Sequence, residues 1–382
     1  MTTRPVDAAR SLRPIILEVR EEIEASRRIS ASLAEAMTAE NLFQLFVTSD
    51  VGGPEVEPLE AYRAYEELAR ADASVAWVAW NNCLPSVLSR YLDNDTRTEI
   101  FGERGTIYAN STRPSGQAVV ADGGFRLSGR WSLVSGCELA DWIPLTAVVQ
   151  EGSKPRKTAS GRSEARMLFI PKGSYEILDT WYTGGLRGTG SHDVVVNDVF
   201  VTNRRTCSIL EPPQLDGQLH RFPFLALLAP GCASICLGLG LAAIEAFVEL
   251  AADRPQVEPG ASMRERNTTH RILAEAEAGL RAARLLLHDA VERVWESCAN
   301  GEPTPEERGQ LLVAGYHAAC VTKDLIGSLY TAAGTSALYV DCSLERCHRD
   351  IWAVAQHMIV TSQWAEQAGR IRLGLESNHP LF

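Results

Sequence analysis

The sequence holds no Cys-x-x-Cys pair, no stretch of 18 apolar residues and no excess of basic charge, and each absence closes a class of function. Its nine cysteines, Cys83, Cys137, Cys207, Cys232, Cys236, Cys298, Cys320, Cys342 and Cys347, are odd in number and scattered. That pattern suits reduced thiols packed as small apolar side chains rather than a disulfide framework. Without a long apolar run no membrane-spanning helix is expected, and the opening Met1 to Asp7 lacks the apolar core of a signal peptide, so the expected location is the cytoplasm. A net charge of -11 argues against nucleic acid or an anionic membrane as partner, because both attract basic surfaces. No Gly-x-Ser-x-Gly elbow supports serine hydrolysis. Asp341, Cys342, Cys347 and His348 have no recognised ligand spacing, so no metal site is expected. Gly185-Leu-Arg-Gly188-Thr-Gly190 has the look of a dinucleotide loop, but strand-like Asp193-Val-Val-Val196 follows it where a helix should.

What is present is 382 residues, 45% of them hydrophobic, enough for one large composite core or two to three smaller ones. Apolar positions recur at helical spacing through Leu12, Ile15, Ile16, Val19 and Ile23, then over Leu33 to Val47 and Leu59 to Arg70, with Gly52-Gly53-Pro54 as a break. Ser74 to Leu92, with Trp77 and Trp80, reads as a central apolar helix. From Gly105 the period changes to about eight strands: Thr106 to Asn110, Gln117 to Val120, Phe125 to Leu127, Arg130 to Val134, Trp142 to Val149, Met167 to Ile170, Tyr175 to Leu178 and Val194 to Val201. Asp122-Gly123-Gly124 and Ser128-Gly129 supply turns, and Glu151 to Ala165 reads as an exposed hairpin loop. After Pro212-Pro213 four helices of about 30 residues are expected, Leu225 to Asp253, Ser262 to Asn300, Thr304 to Ala333 and Ser343 to Leu373, separated at 255–260, 301–303 and Gly334. The expected fold class is α+β and multidomain: an N-terminal helical domain over 1–104, a barrel-like β domain over 105–211 and a C-terminal four-helix bundle over 212–382.

That order resembles the acyl-CoA dehydrogenase superfamily, and local words agree with it over roughly 15–375. Gly129-Arg-Trp-Ser-Leu-Val-Ser135-Gly136 is similar to the strand beside the flavin in that family. Leu186-Arg-Gly-Thr-Gly190 leading into Val199-Phe-Val201 is similar to its "Arg-Gly-Ser … Val-x-Val" pair, and Ala332-Ala-Gly334-Thr335 to its turn before the last helix. Glu345-Arg-Cys-His-Arg349-Asp350 resembles the start of that last helix. Counted from the Arg-Asp pair, the catalytic glutamate of the dehydrogenases falls at Met358, and the alternative base position lies in Gln218 to Gly240, where no carboxylate occurs. The double absence points to the flavin-dependent monooxygenase branch, whose members hydroxylate 4-hydroxyphenylacetate, dibenzothiophene or indole-type compounds.

The resemblance implies a homotetramer that takes reduced FAD or FMN from a separate NAD(P)H:flavin reductase. With O2 it would hydroxylate or epoxidise a phenol- or indole-type substrate through a flavin C4a-hydroperoxide. It implies that Ser135 bonds the flavin N5 region and that His357 positions or deprotonates the substrate; both are the catalytic candidates, and a hydrogen-bonded structural histidine is the competing reading for His357. Asn110, Ser111 and Thr112, before Arg113-Pro114, stand where the family touches the flavin pyrimidine edge, or simply initiate a turn. Trp131 belongs either against the flavin or in the sheet core. Arg264 and Arg266 suit a flavin phosphate across a subunit boundary, or form a solvated helix start, and Gly334 and Thr335 complete the flavin set. Trp80, Asn81, Asn82, Arg221, Phe224 and Met358 are the substrate-pocket candidates, with a loop anchor as the other reading of Arg221. An acyl-CoA dehydrogenase-type FAD oxidoreductase and a non-catalytic flavin-binding homologue are the alternatives.

Overall fold

In the computed structural model, which describes residues 3–253, 262–379 and 382, five helices precede the sheet: α1 (Pro5–Ser26), α2 (Ala31–Ala39), α3 (Pro58–Ala71), α4 (Ala73–Val87) and α5 (Asn94–Phe101). The strands are β1 (Ser111–Ala121), β2 (Gly124–Val134), β3 (Trp142–Glu151), β4 (Lys154–Pro155), β5 (Ala165–Pro171), β6 (Glu176–Leu178), β7 (His192–Thr202) and β8 (Thr206–Cys207). Then come α6 (Gln218–Arg221), α7 (Phe224–Asp253), α8 (Asn267–Asn300), α9 (Pro305–Ala333), α10 (Ser343–Val354) and α11 (Gln363–Arg372). The expected break at 255–260 lies outside the described residues.

Before and within the sheet, three expectations fail at particular places. Leu33 to Val47 is helical only through Ala39; Asn41, at φ 63°, sits in the left-handed region and ends the helix. Thr106 to Asn110 forms a single bridge, Tyr108 with Trp142, rather than a strand. Ser128-Gly129 is no turn: Phe125 to Val134 runs as one strand, β2, with a register shift against β7 between Leu127 and Gly129 and another between Trp131 and Val134. Such irregularities bend a strand without ending it.

The sheet order is β6-β7-β2-β1-β3-β5-β8, with β4 on β3; among the described strands β1 and β3 pair in parallel and the other neighbours antiparallel. Its own core holds Trp131, Ile143, Leu168 and Val194. A second, larger core runs without interruption from Leu12 of α1 through Trp80 of α4 and Phe247 of α7 to Trp364 of α11. The helices before the sheet are thereby packed onto the bundle as one body of apolar side chains. Glycines allow the closest approach: a side chain at Gly238 of α7 would come within 2.3 Å of the Glu66 carbonyl in α3.

Against the absence of an apolar run, Phe224 to Ala252 is long and apolar enough to cross a membrane by length and composition. Most of it is buried inside the fold, and its low amphipathicity is that of a helix apolar all round and enclosed by neighbours. The last expected helix, Ser343 to Leu373, is broken: α10 ends at Val354, a short 3-10 turn spans Met358–Val360, and α11 begins at Gln363. His357 caps that turn in extended conformation rather than riding on a helix face.

Candidate functional site

Helix α4 is set by the residue that precedes it. The Asp72 side chain caps it, accepting from the Ser74 and Val75 amides at 2.8 and 3.2 Å. From that start, Trp77, Trp80, Asn81 and Asn82 fall on the turns that meet the sheet and the bundle. The Trp77 indole N–H donates to Ser135 Oγ at 3.0 Å. Its ring and that of Trp80 lie edge to face, 5.0 Å apart, and each meets the His357 imidazole at 5.5 Å, again edge to face.

Three segments distant in sequence are thus gathered at one junction: α4, the end of β2 and the broken stretch before α11. Ser135 follows Leu133, which holds φ 61° and leaves nearly half its side chain exposed, 45%. A leucine in the left-handed region is costly, and such outliers concentrate at functional positions. Leu133 was not legible as a site residue, because nothing in an alternating strand marks which residue will carry the bulge. Gly136, at φ 64°, lies so close beneath Asn82 that a side chain there would come within 2.4 Å of its Nδ2.

His357 is half-buried between the two indoles. Burial, with the nearby Arg113 guanidinium adding to it, drives its pKa down to about 4, so the imidazole is neutral near pH 7. Its Nδ1 faces the Ile359 amide at 3.4 Å and accepts from it, which places the ring hydrogen on Nε2. The histidine accordingly presents a donor, and the charged group that acts on it is an arginine rather than a carboxylate.

The remaining candidates divide. Asn110, nearly buried, is spent on α4: its Nδ2 donates to the Asn81 carbonyl at 2.8 Å and to its side-chain oxygen at 3.2 Å. Asn81 is half-buried there. Ser111 is buried at the start of β1, its carbonyl accepting from Thr146 Oγ1, and Thr112 is exposed beside it. Asn82 and Trp80 are sealed, and Asn82's amide and Trp80's N–H have no partner among the described residues. They shape the junction from behind. Trp131 is corrected from a flavin wall to a core residue: it has no exposed surface, and its N–H donates to the Thr146 carbonyl at 2.7 Å.

Arg221 is likewise an anchor rather than a pocket residue, bonded to Asp216 and to the Cys298 and Ala299 carbonyls at the end of α8. Phe224 packs half-buried at the start of α7. Met358 is 55% exposed beside His357, and its carbonyl accepts from Thr361, Gln363 and Trp364, which fixes the turn. Arg264 and Arg266 stand exposed before α8, and Gly334 and Thr335 on the turn after α9, where Gly334 has φ 59°. These four stand on elements other than the three that form the junction.

Two cavities lie elsewhere. One, of about 230 Å³, is lined by Arg20, Arg70, Asp72, Glu245, Arg346 and Asp350 among others; the second, about 820 Å³, is a groove between α8 and α9. Neither includes Ser135 or His357.

The acyl-CoA dehydrogenase N-terminal domain model matches residues 8–99 and the C-terminal domain model residues 231–362. An indole-3-acetate monooxygenase of Pseudomonas putida is 32% identical over 92% of this chain and 89% of its own length. The chain belongs to the acyl-CoA dehydrogenase superfamily, in its flavin-dependent monooxygenase branch. A second indole-3-acetate monooxygenase, from Acinetobacter baumannii, is 30% identical over 97% of this chain and 95% of its own. Among solved structures, the HsaA monooxygenase from M. tuberculosis superposes with a TM-score of 0.89 at 25% identity, covering 99% of both chains. Solved structures of similar fold are complexes with FADH2 or FMN. This junction holds two groups of the kind a flavin edge would meet: the buried Ser135 hydroxyl, which has one lone pair left after accepting from Trp77, and the exposed apolar side chain of Leu133 two residues before it.

Proposed function

We propose that the chain hydroxylates or epoxidises an indole- or phenol-type aromatic with reduced FAD or FMN from a separate reductase, at the junction of Ser135, Trp77 and His357. The observation that carries the reading is the neutral imidazole of His357 held between two indoles, with Arg113 and, among the described residues, no carboxylate acting on it. A dehydrogenase of this superfamily takes a carbon-bound proton with a glutamate, and none stands at Met358 or within Gln218 to Gly240.

Bound reduced flavin would supply the electrons that activate oxygen. The protein's part is to hold and to keep dry. Nε2–H of His357 donates to an oxygen or ring atom of the substrate, Trp77 and Leu133 form apolar walls, and Ser135 holds the flavin edge near N5. Asn110 and Ser111 brace the strand that follows, and Arg264 or Arg266 would reach the flavin phosphate of a neighbouring subunit in a homotetramer. Exposed Leu285, Leu286, Leu338 and Val340 support that assembly, and nine unbridged thiols support a cytoplasmic setting. Light scattering giving the mass of one chain would remove the tetramer.

The test is to mix the protein with enzymatically reduced flavin, an indole and phenol panel and isotopically labelled oxygen. One labelled atom per product molecule is expected, with His357→Ala losing product while flavin still reoxidises. Absence of label, together with anaerobic reduction of bound FAD by an acyl-CoA, would establish the dehydrogenase alternative.

A further inference from the structure

Ser135 does not stand alone. Its Oγ lies 2.7 Å from Ser191 Oγ, which lies 2.6 Å from Thr189 Oγ1, which is 2.9 Å from the Leu186 carbonyl. All three hydroxyls are buried. A carbonyl only accepts, so the Thr189 hydrogen is spent on Leu186. Thr189 must then accept from Ser191, and Ser191, its one hydrogen used, must accept from Ser135. Trp77 closes the line by donating to Ser135. Only this assignment satisfies every contact, and it runs one way: Trp77 to Ser135 to Ser191 to Thr189 to Leu186.

The far end is fixed. Leu186 holds φ 52°, its amide donates to the buried Asp350 carboxylate at 2.7 Å, and its carbonyl also accepts from the Trp181 indole at 3.0 Å. The turn that carries Thr189 is therefore clamped from α10 and cannot readily reverse the line.

Resting on the flavin-binding reading above, we propose that Thr189 and Ser191 act as positioning residues that consume the Ser135 hydrogen, so that Ser135 meets flavin as an acceptor and selects the reduced form. N5 of a reduced flavin bears a hydrogen and can donate; N5 of an oxidised flavin is an acceptor and would face a lone pair. The side chain nearest the flavin edge thus discriminates by hydrogen-bond polarity, and that polarity is set two hydroxyls away.

Dissociation constants for oxidised FAD and FMN, and anaerobically for their reduced forms, are measured for wild type, Ser191→Ala and the near-isosteric Thr189→Val. Wild type should prefer reduced flavin. Either variant frees the Ser135 hydrogen to turn outward, so the preference should fall by about fivefold to tenfold, the worth of one hydrogen bond. Ser191→Thr, which keeps the hydroxyl, should restore it, and Ser135→Ala should make the Ser191 substitution silent. A purely structural role would weaken both flavin forms alike and leave the ratio unmoved, which would overturn the inference while leaving flavin binding intact. Equal wild-type affinity for the two forms also overturns it. Failure of wild type to bind either form would overturn the flavin reading and this inference together.

Discussion

Trp77 touches both ends of the candidate chemistry: its N–H ends on Ser135 Oγ at 3.0 Å while its ring meets the His357 imidazole at 5.5 Å. One indole fixes the sheet against the bundle at this point. Trp77→Phe keeps the ring contact and deletes the donor. It should cost about 2–3 kcal/mol of stability, from one buried hydrogen bond and the space left where the indole is larger than the phenyl ring. It should also divert reduced flavin toward free peroxide. Urea unfolding and a peroxide assay check the two effects, and an unchanged peroxide yield would separate Trp77 from the chemistry.

His357 should resist protonation. With its pKa lowered to about 4 by burial, its contribution to stability is present above the ordinary imidazole range and is lost as pH falls from about 6.5 toward 4. Nitrogen NMR of the free protein should show a neutral ring with its hydrogen on Nε2 at pH 7. A ring titrating near 6.5, or carrying its hydrogen on Nδ1, would contradict the donor role.

Asp350 behaves in the opposite sense. Burial, helped by the neighbouring Asp72, pushes its pKa up to about 7. Stability from a raised carboxyl is present at low pH and is lost as pH rises from the ordinary carboxyl range through about 7. Asp350→Asn keeps an oxygen for the Leu186 amide and removes the titration, so its stability relative to wild type should climb steadily over that interval. Urea midpoints across the range test it, and parallel pH curves would refute it.

Gly136→Ala should destabilise by roughly 1–3 kcal/mol, because a left-handed backbone and the contact with Asn82 act together. Gly152 shares its φ of 64°, and a methyl carbon there would meet nothing within 4 Å, so Gly152→Ala isolates the backbone share. Thermal melts should rank Gly136→Ala below Gly152→Ala; the reverse order would remove Asn82 from the argument.

The helix-sheet-helix order was readable because apolar spacing changes period at Gly105 and again after Pro212-Pro213, and spacing is a local property of the chain. The missing carboxylates were equally plain, since an absence over Gln218 to Gly240 needs no coordinates. Side-chain direction was another matter. Trp131 and Leu133 stand two apart on β2, and an alternating strand should aim them alike; the register shift after Trp131 sends one into the core and leaves the other exposed. Arg221 looked available for a pocket until its bonds to the end of α8 showed it occupied.

By itself, then, the sequence determined the order of helical and strand regions, the superfamily and the missing carboxylate at the two positions where a dehydrogenase carries its base, because each depends on residue identity and near-neighbour spacing. Only the tertiary structure decided that the last helix breaks before His357, that two indoles of α4 close on the imidazole, and that Ser135, Ser191 and Thr189 share one line of hydrogen bonds. Those facts rest on burial and on contacts between segments more than fifty residues apart, and desolvation and hydrogen-bond direction exist only once such segments have met.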